Sequence, residues 1–234
     1  MHFEILVEDS SGGKALECLI PKIIAHIQYT KKPVIEHEQH TFRLISHGGL
    51  GTIPKDLHAD PDPATRTLLE NLPKKLRAYG KTYPAPDSQF AVIVVCDLDD
   101  KYEKIFYNEL KSILNTCNPQ PKTRFCIARE EGEAWLLGDI PAVKAAYPDA
   151  KDSVLKEYSN DSICGTWEML ADAVHPDGRN AHAAQNYQAW GKEKHEWAEK
   201  ITPHMTVNRN ISPSFQRFRT QLRELAGEAG TDTK

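Results

Sequence analysis

The segment FAVIVVC, residues 90–96, constrains the fold of this chain more than any other part of its sequence. Every residue in it is apolar, and the run is too short to be a membrane-spanning helix. A strand without polar positions is buried on both faces, which is typical of a parallel sheet that helices cover on both sides. The segment therefore predicts a central strand of an α/β sheet.

The rest of the first half alternates between strand-like and helix-like patterns. Further strands are predicted at residues 2–7, 41–46 and 124–128, and helices at 14–28, 64–79 and 101–115. Strands separated by helices indicate βαβ units, so we expect a Rossmann-like, mostly parallel sheet flanked by helices.

The strand signal fades after about residue 139. Helices are predicted near 141–147, 164–174, 181–202 and 213–226, and the polar segment 148–162 predicts a loop. We therefore predict an α/β core over residues 1–139 and a helical C-terminal extension over residues 140–234 that packs on this core.

Composition narrows the class of protein. With 40% hydrophobic residues in 234, the chain can bury a sizeable core. The net charge of −4 argues against coating of nucleic acid by global charge, but it allows a local basic face. We see no signal peptide and no apolar run long enough to span a membrane. The five cysteines form no CxxC pair, which favours reduced thiols and a cytoplasmic location.

The glycines in LVEDSSGGKAL, residues 6–16, raise the possibility of a phosphate-binding P-loop. That motif requires G-x-x-x-x-G-K-[ST]. If Gly13 and Lys14 form its GK pair, Glu8 replaces the first glycine and Ala15 replaces the hydroxyl residue. A carboxylate at that position repels phosphate unless a cation intervenes, so we reject the P-loop interpretation.

Acidic residues at the ends of the predicted strands suggest a different site. Glu8 ends the first strand, and Asp97, Asp99 and Asp100 follow the apolar strand in VVCDLDD. Ligands of parallel sheets collect at the carboxyl ends of the strands, and alternation places Asp97 and Asp99 on one side of an extended segment. Because close like charges need a cation, this cluster indicates Mg²⁺. Asp99 or Asp100 alone is more typical of a cap on the helix that begins near Lys101.

The segment AREEGEAWLLGD, residues 128–139, adds more acids at the same sheet edge. Glu130, Glu131 and Glu133 follow the last predicted strand, and Glu130 and Glu133 share a face on a helical first turn. Acids also favour helix N-termini in general, which is the structural alternative for any one of them.

The C-terminal part contributes basic residues. Lys192 or Lys194 facing a metal cluster could stabilise a developing phosphoryl charge, although most lysines are solvated surface. Arg217, Arg219 and Arg223 could contact phosphates, and they are equally ordinary as the wet side of an amphipathic helix.

A glutamate that ends the first strand, a DxD pair after a buried strand and a helical return resemble the Toprim fold of topoisomerases, primases and OLD-family nucleases. The segments LVEDSS, VVCDLDD, EEGEAWLLGD, GTWEML and ITPHMTVNRNISPSFQRF, which together cover nearly the whole chain, also resemble a Toprim-like family of small bacterial proteins of unknown function. Members of that family are often encoded beside an ABC-type (AAA-like) ATPase in phage-defence contexts.

The resemblance implies a site, residue by residue. The implied catalytic residues are Glu8, Asp97, Asp99, Glu133 and Lys194, and the implied ligands of Mg²⁺ (or Mn²⁺) are Glu8, Asp97, Asp99, Glu130 and Glu133. Toprim proteins usually have glycine directly after the first glutamate, whereas this chain has Asp9, so the loop geometry implied by the resemblance needs a check.

Two functions follow as hypotheses. The first is a Mg²⁺-dependent Toprim-like nuclease that cleaves DNA or structured RNA such as tRNA, in phage defence and with an ATPase partner. The alternative is a non-catalytic sensor or regulatory subunit that docks on an ABC-type ATPase. A nucleotidyl- or phosphoryl-transferase that uses the same acids is a third option, without a nucleotide-pocket motif to support it. The sequence leaves open the number of metal ions, the role of Glu8 as ligand or acid/base, and the oligomeric state.

Overall fold

The structure is a computed structural model and describes residues 1–35, 39–162, 165–181 and 187–228. Within these ranges the chain forms a five-stranded, all-parallel sheet in the order β2-β3-β1-β4-β5. The strands are β1 (His2–Val7), β2 (Ile27–Tyr29), β3 (His40–Ser46), β4 (Phe90–Asp97) and β5 (Thr123–Ala128). The predicted α/β class with a parallel, Rossmann-like sheet is confirmed.

Helices cover both faces of this sheet. They are α1 (Ser10–Ile23), α2 (Leu68–Thr82), α3 (Glu103–Asn115), α4 (Glu133–Leu137), α5 (Ile140–Ala146), α6 (Asp152–Glu157), α7 (Thr166–Val174), α8 (Tyr187–Ile201) and α9 (Pro213–Ala226). None of the helices in the described ranges is long and apolar enough to cross a membrane.

The two-sided burial of β4 explains its continuous apolar sequence. Successive side chains of a strand point to opposite faces, so alternate residues enter two separate cores. Ala91, Ile93 and Val95 pack in the core beneath α1 and the C-terminal helices. The remaining residues, Phe90, Val92, Val94 and Cys96, pack in the core beneath α2 and α3.

The C-terminal helices share a core with the sheet. The apolar cluster on the α1 side is continuous from Phe3 in β1 to Leu222 in α9. Helix α8 packs along α1, and α9 packs beside β5. The C-terminal part of the chain therefore reaches the same side of the sheet as α1.

Two segments differ from the predicted elements. The predicted helix 14–28 ends at Ile23, because Ile24 is extended and His26 has a φ of 53°, and the short strand β2 follows. The predicted loop 148–162 contains α6, a short helix in which only Leu155 is buried and Val154 is partly buried, and whose other residues are polar. Parts of the helices predicted at 164–174 and 181–202 lie outside the described residues.

The loop after Glu8 is a helix cap. Asp9 is the N-cap of α1, and one carboxylate oxygen accepts a hydrogen bond from the backbone N–H of Gly12 at 2.8 Å. The φ of Asp9 is −141°, an extended conformation that any residue adopts. An aspartate in place of the usual glycine is therefore unstrained here, and Gly12 and Gly13 belong to the first turn of α1 rather than to a phosphate loop.

Gly12 is required because α1 approaches β1 closely. A Cβ on Gly12 would lie 2.9 Å from Cγ1 of Val7 and 3.2 Å from Oδ1 of Asp9. Val7 is buried and stiff at χ1, so it cannot move aside. We expect Gly12→Ala to lower the free energy of unfolding by about 1–3 kcal/mol in urea denaturation. The matched control is Gly191→Ala in α8, where no atom lies within 4 Å; we expect this change to be neutral or to stabilise by about 0.5–1 kcal/mol. Equal effects of the two changes would contradict the close approach at Gly12.

Candidate functional site

A small cavity of about 50 Å³ lies at the carboxyl edge of the sheet. Glu8, Asp97, Glu133 and Lys194 line it. The hydrogen-bonded strands β1 and β4 place Glu8 beside Asp97, α4 supplies Glu133 and α8 supplies Lys194. Four of the predicted site residues are thus brought together from four different elements.

Glu8 and Asp97 form the acidic centre of this cavity. The backbone N–H of Asp97 donates to Oε2 of Glu8 at 3.0 Å. Burial raises the pKa of Glu8 to about 7, and the nearby carboxylates of Asp99 and Asp9 add to this rise. Burial, followed by the charges of Glu8 and Glu133, also holds the pKa of Asp97 well above its ordinary value. The pair therefore carries electrostatic strain that positive charge would relieve.

Lys194 supplies positive charge at the cavity wall. Its ammonium lies 3.2 Å from Oε1 of Glu131 and 3.5 Å from Oε2 of Glu133, and only 16% of its side chain is exposed. Burial works to lower the pKa of Lys194, but the carboxylates of Glu133 and Glu131 outweigh it and raise the pKa above the ordinary value. The ammonium also faces the ring of Trp167 at 5.7 Å. Lys194 is therefore a fixed, charged residue.

Glu131 lines a neighbouring pocket rather than the cavity, but its pairing with Lys194 makes it part of this site, although it was not among the predicted site residues. Burial raises its pKa to about 7, despite the opposing effect of Lys194. Its Oε2 atom is buried, and no group in the described part of the chain hydrogen-bonds to it. Sequence reasoning favoured Glu130 and Glu133 because they share a helical face. The available signal was the EEGE run itself, in which any glutamate could turn towards the lysine.

Glu130, a predicted metal ligand, binds a helix instead. Its Oε1 accepts from the backbone N–H of Gly165 at 2.6 Å, and its Oε2 accepts from that of Thr166 at 2.9 Å. Both carboxylate oxygens are thus used at the N-terminus of α7, where a negative charge is favourable. Glu130 lines a neighbouring pocket and not the cavity that contains Asp97.

Asp99, predicted to act beside Asp97, also lines the neighbouring pocket. Its φ of 49° lies in the left-handed region, so the extended alternation that was expected to align the two aspartates ends before Asp99. Lys101 donates to Oδ2 of Asp99 at 2.7 Å. The structure therefore separates the predicted set into a cavity group (Glu8, Asp97, Glu133, Lys194) and a neighbouring pair (Asp99, Glu130).

Comparison with known proteins gives a family. The family model described as "Domain of unknown function (DUF4276)" matches residues 7–223, which include the whole cavity group. The chain belongs to the DUF4276 family. No curated protein and no solved structure shows a significant match to it. The family description states no activity, so the function of this DUF4276 protein has to be argued from its cavity.

The cavity group offers oxygen ligands but no complete metal site. Within the described ranges, no group of three or more His, Cys, Asp or Glu side chains is arranged to hold a metal ion. The donor chemistry nevertheless fits Mg²⁺ or Mn²⁺, because Glu8, Asp97 and Glu133 offer carboxylate oxygens at one edge. The raised pKa values of Glu8 and Asp97 mark a negative charge that Lys194 does not fully compensate.

The raised pKa of Glu8 predicts how stability depends on pH. Folding raises this pKa from 4.5 to about 7, so between these values the folded state binds more protons than the unfolded state. Stability must therefore fall as the pH rises through this window and remain lower above it. In wild type we expect the free energy of unfolding to decrease by on the order of 1–3 kcal/mol between pH 5 and pH 8, and we expect Glu8→Gln to abolish this decrease. The measurement is urea denaturation with EDTA present.

The matched control for this change is Glu17→Gln, at an exposed position of α1. This change also removes one carboxylate, but Glu17 does not line the cavity. We therefore expect the pH dependence of the wild type to persist. If Glu8→Gln and wild type show the same dependence, Glu8 is not the strained carboxyl described above.

Proposed function

We propose that this DUF4276 protein is a Mg²⁺- or Mn²⁺-dependent nuclease that hydrolyses phosphodiester bonds in DNA or in structured RNA such as tRNA. The observation that carries the proposal is the convergence of Glu8, Asp97, Glu133 and Lys194 on one cavity at the carboxyl edge of a parallel sheet. This edge is where α/β proteins bind their ligands. Acids beside a buried lysine suit the negative charge and metal requirement of a phosphodiester.

The carboxylates of the cavity divide between two tasks. Glu8, Asp97 and Glu133 would hold the metal ion, since they line the cavity and two of them have raised pKa values. When bound, Mg²⁺ lowers the pKa of a water molecule and neutralises phosphate charge. The backbone N–H of Asp97 fixes the Glu8 carboxylate, so the two acids keep a defined relative position. Glu131 pairs with Lys194 and holds the ammonium in place.

Lys194 stabilises the negative charge that develops on the phosphate oxygens. Its ammonium is held by Glu131 and Glu133 at the wall of the cavity and stays charged at neutral pH. A charge fixed before the reaction acts without reorganisation at the moment of bond cleavage. The small exposed fraction of the side chain keeps water from screening this charge.

The resemblance described above suggests the setting of this activity. We propose that the protein acts in the cytoplasm, in phage defence, and that an ABC-type ATPase encoded beside it controls cleavage. Two ion pairs favour the alternative, a non-catalytic sensor that docks on the ATPase. Lys194 already neutralises part of the acidic charge from within the protein, as its contacts with Glu131 and Glu133 show.

Two measurements test the proposal together. The purified protein, alone and with the neighbouring ATPase and ATP, is incubated with plasmid DNA, single-stranded DNA and tRNA in Mg²⁺ or Mn²⁺. Calorimetry measures uptake of Mn²⁺ by the isolated protein. We expect Mn²⁺ binding and cleavage of at least one substrate. Mn²⁺ binding without cleavage of any substrate would contradict the nuclease, and the absence of both would favour the sensor.

A further inference from the structure

A second cavity, of about 450 Å³, forms a groove between α3 and α9 with β5 at its floor. Lys104 and Tyr107 of α3, Phe125 of β5, and Arg217 and Gln221 of α9 are among the residues that line it. It is separate from the acidic cavity and nine times as large, 450 against 50 Å³. Its lining combines positive charge with aromatic rings, unlike the carboxylates of the acidic cavity.

Two arginines at this groove share one carboxylate. Oε2 of Glu103 lies 3.4 Å from Nη1 of Arg129, and Oε1 lies 3.1 Å from Nη2 of Arg217. Two guanidinium groups on one carboxylate leave a net positive charge. Each guanidinium has five N–H donors, and in the described part of the chain Glu103 is the acceptor recorded for either side chain. Glu103 thus orients both arginines. Nε of Arg129 is buried, so it is the terminal N–H groups not bonded to Glu103 that are left to an external anion.

The arginine pair lies beside the acidic cavity. Ala128 pairs with Asp97 in the register of β5 and β4, and Arg129 is the next residue. The backbone N–H of Arg129 donates to Oγ of Ser214, which connects the end of β5 to the start of α9. A polyanion that contacts Arg129 and Arg217 would therefore continue towards Asp97 at the neighbouring strand end.

Apolar side chains outside the groove lining are exposed at the start of α3, directly after the Asp97–Asp100 loop. Tyr102 is 80% exposed and Ile105 is 58% exposed, although both are large apolar residues. Aromatic rings that stand in solvent beside positive charge are typical of surfaces on which unpaired bases stack. In a duplex each base already stacks on its neighbours, so an exposed aromatic ring can stack only on the unpaired bases of a single strand.

We propose that the groove between α3 and α9 binds single-stranded nucleic acid, with Arg129 and Arg217 on backbone phosphates and Tyr102 stacked on an unpaired base. The inference rests on the proposed nuclease function and names its substrate as unpaired nucleotides, in DNA or in an RNA loop. Charge complementarity supports this occupant. The chain has a net charge of −4, yet Lys104 and Arg217 outnumber Glu103 in the lining of this groove, and Arg129 adds a positive charge by pairing with Glu103 from the end of β5.

Fluorescence anisotropy in EDTA tests the inference without cleavage. The probes are labelled 20-nucleotide single-stranded DNA and RNA of one sequence, and the DNA duplex of the same sequence. We expect both single strands to bind more tightly than the duplex. Arg217→Gln should weaken single-strand binding about tenfold and reduce the slope of log affinity against log salt by about 0.7. Tyr102→Ala should weaken single-strand binding about tenfold and leave duplex binding unchanged.

Arg179→Gln is the matched control. Arg179 is 50% exposed and paired with Asp172, and Arg217 is 51% exposed and paired with Glu103, so the two changes remove the same charge from similar surroundings. Arg179 lies beside α7, and we expect its change to leave affinity within twofold. The inference is overturned if Arg217→Gln and Arg129→Gln bind like wild type, if Arg179→Gln loses as much affinity, or if Tyr102→Ala weakens duplex and single strand alike.

The outcome separates this inference from the proposed function. If wild type and Arg217→Gln cleave the substrate equally well, the proposed role of the groove is wrong and the proposed nuclease function stands. Binding that depends on Arg217 and Tyr102, without cleavage of any substrate in Mn²⁺, would retain the groove and overturn the nuclease. A preference between the DNA and RNA single strands identifies which nucleic acid the groove accepts.

Discussion

Asp97→Asn is expected to lower the proposed metal-dependent cleavage by about 10²–10³-fold. The carboxylate of Asp97 lies at the centre of the cavity group, between Glu8 and the Glu133–Lys194 wall. A metal ion supplies several kcal/mol of charge stabilisation in the transition state, and each 1.36 kcal/mol corresponds to about a tenfold change in rate. An amide keeps the size of the side chain but removes the charge that would hold the ion. The measurement is the initial cleavage rate across a Mn²⁺ titration.

The same variant should be at least as stable as wild type. Asparagine removes a carboxylate whose pKa is held high by burial and by neighbouring acids, so the repulsion at the sheet edge falls. Loss of activity with an unchanged or higher Tm separates a catalytic effect from unfolding. Asp100→Asn is the control, because Asp100 is exposed in the same loop and does not line the acidic cavity. If Asp97→Asn cleaves as well as Asp100→Asn, the proposed site is wrong.

Lys194→Met is expected to destabilise the protein by about 3–5 kcal/mol at pH 8, because it leaves the buried carboxylate of Glu133 and the half-buried carboxylate of Glu131 without their cation. Glu131 and Glu133 both lie within 3.5 Å of the ammonium. Without it, the pKa of Glu131, already raised to about 7, should rise further. A carboxyl group with a raised pKa costs stability above its pKa and less below it. The loss should therefore be smaller at pH 5 than at pH 8, as measured by urea denaturation.

Two further variants decide whether this loss comes from the buried charges. Lys200→Met removes an exposed lysine from the same helix, where it pairs with Glu196, and should cost less than about 0.5 kcal/mol. The double variant Lys194→Met/Glu131→Gln should recover part of the stability, since it removes one of the uncompensated charges. A loss that is equal at both pH values and unaffected by Glu131→Gln would instead indicate that the lost contact is the one between the ammonium and the ring of Trp167.

Most of the sheet could be predicted from the sequence because a strand that is buried on both faces has apolar residues at every position. FAVIVVC is apolar throughout, and in the structure its residues alternate between two cores. Strand β2 was missed because its three residues are mostly exposed and follow directly on the apolar face of α1. Helix α6 was missed for a similar reason, since one buried leucine gives no period.

The site was predictable where it depends on strand ends and unpredictable where it depends on side-chain partners. Glu8 and Asp97 follow adjacent parallel strands, so topology alone brings them together. Asp99 and Glu130 follow strands as well, but both have a positive φ, so the chain leaves the extended conformation there. The residue type alone does not predict this change of backbone conformation. Lys194 was assigned by resemblance alone, and its partner Glu131 depends on how α8 packs across the sheet edge.

The order of the cavity residues along the chain has a consequence for synthesis. The three acids of the cavity, Glu8, Asp97 and Glu133, leave the ribosome before Lys194 in α8. At about 5–20 residues per second, a nascent chain spends seconds with these acids and without their cation. Premature termination before α8 would leave the acidic edge uncompensated for good. A fragment of this kind should be unstable, so the proposed activity would become available only after translation is complete.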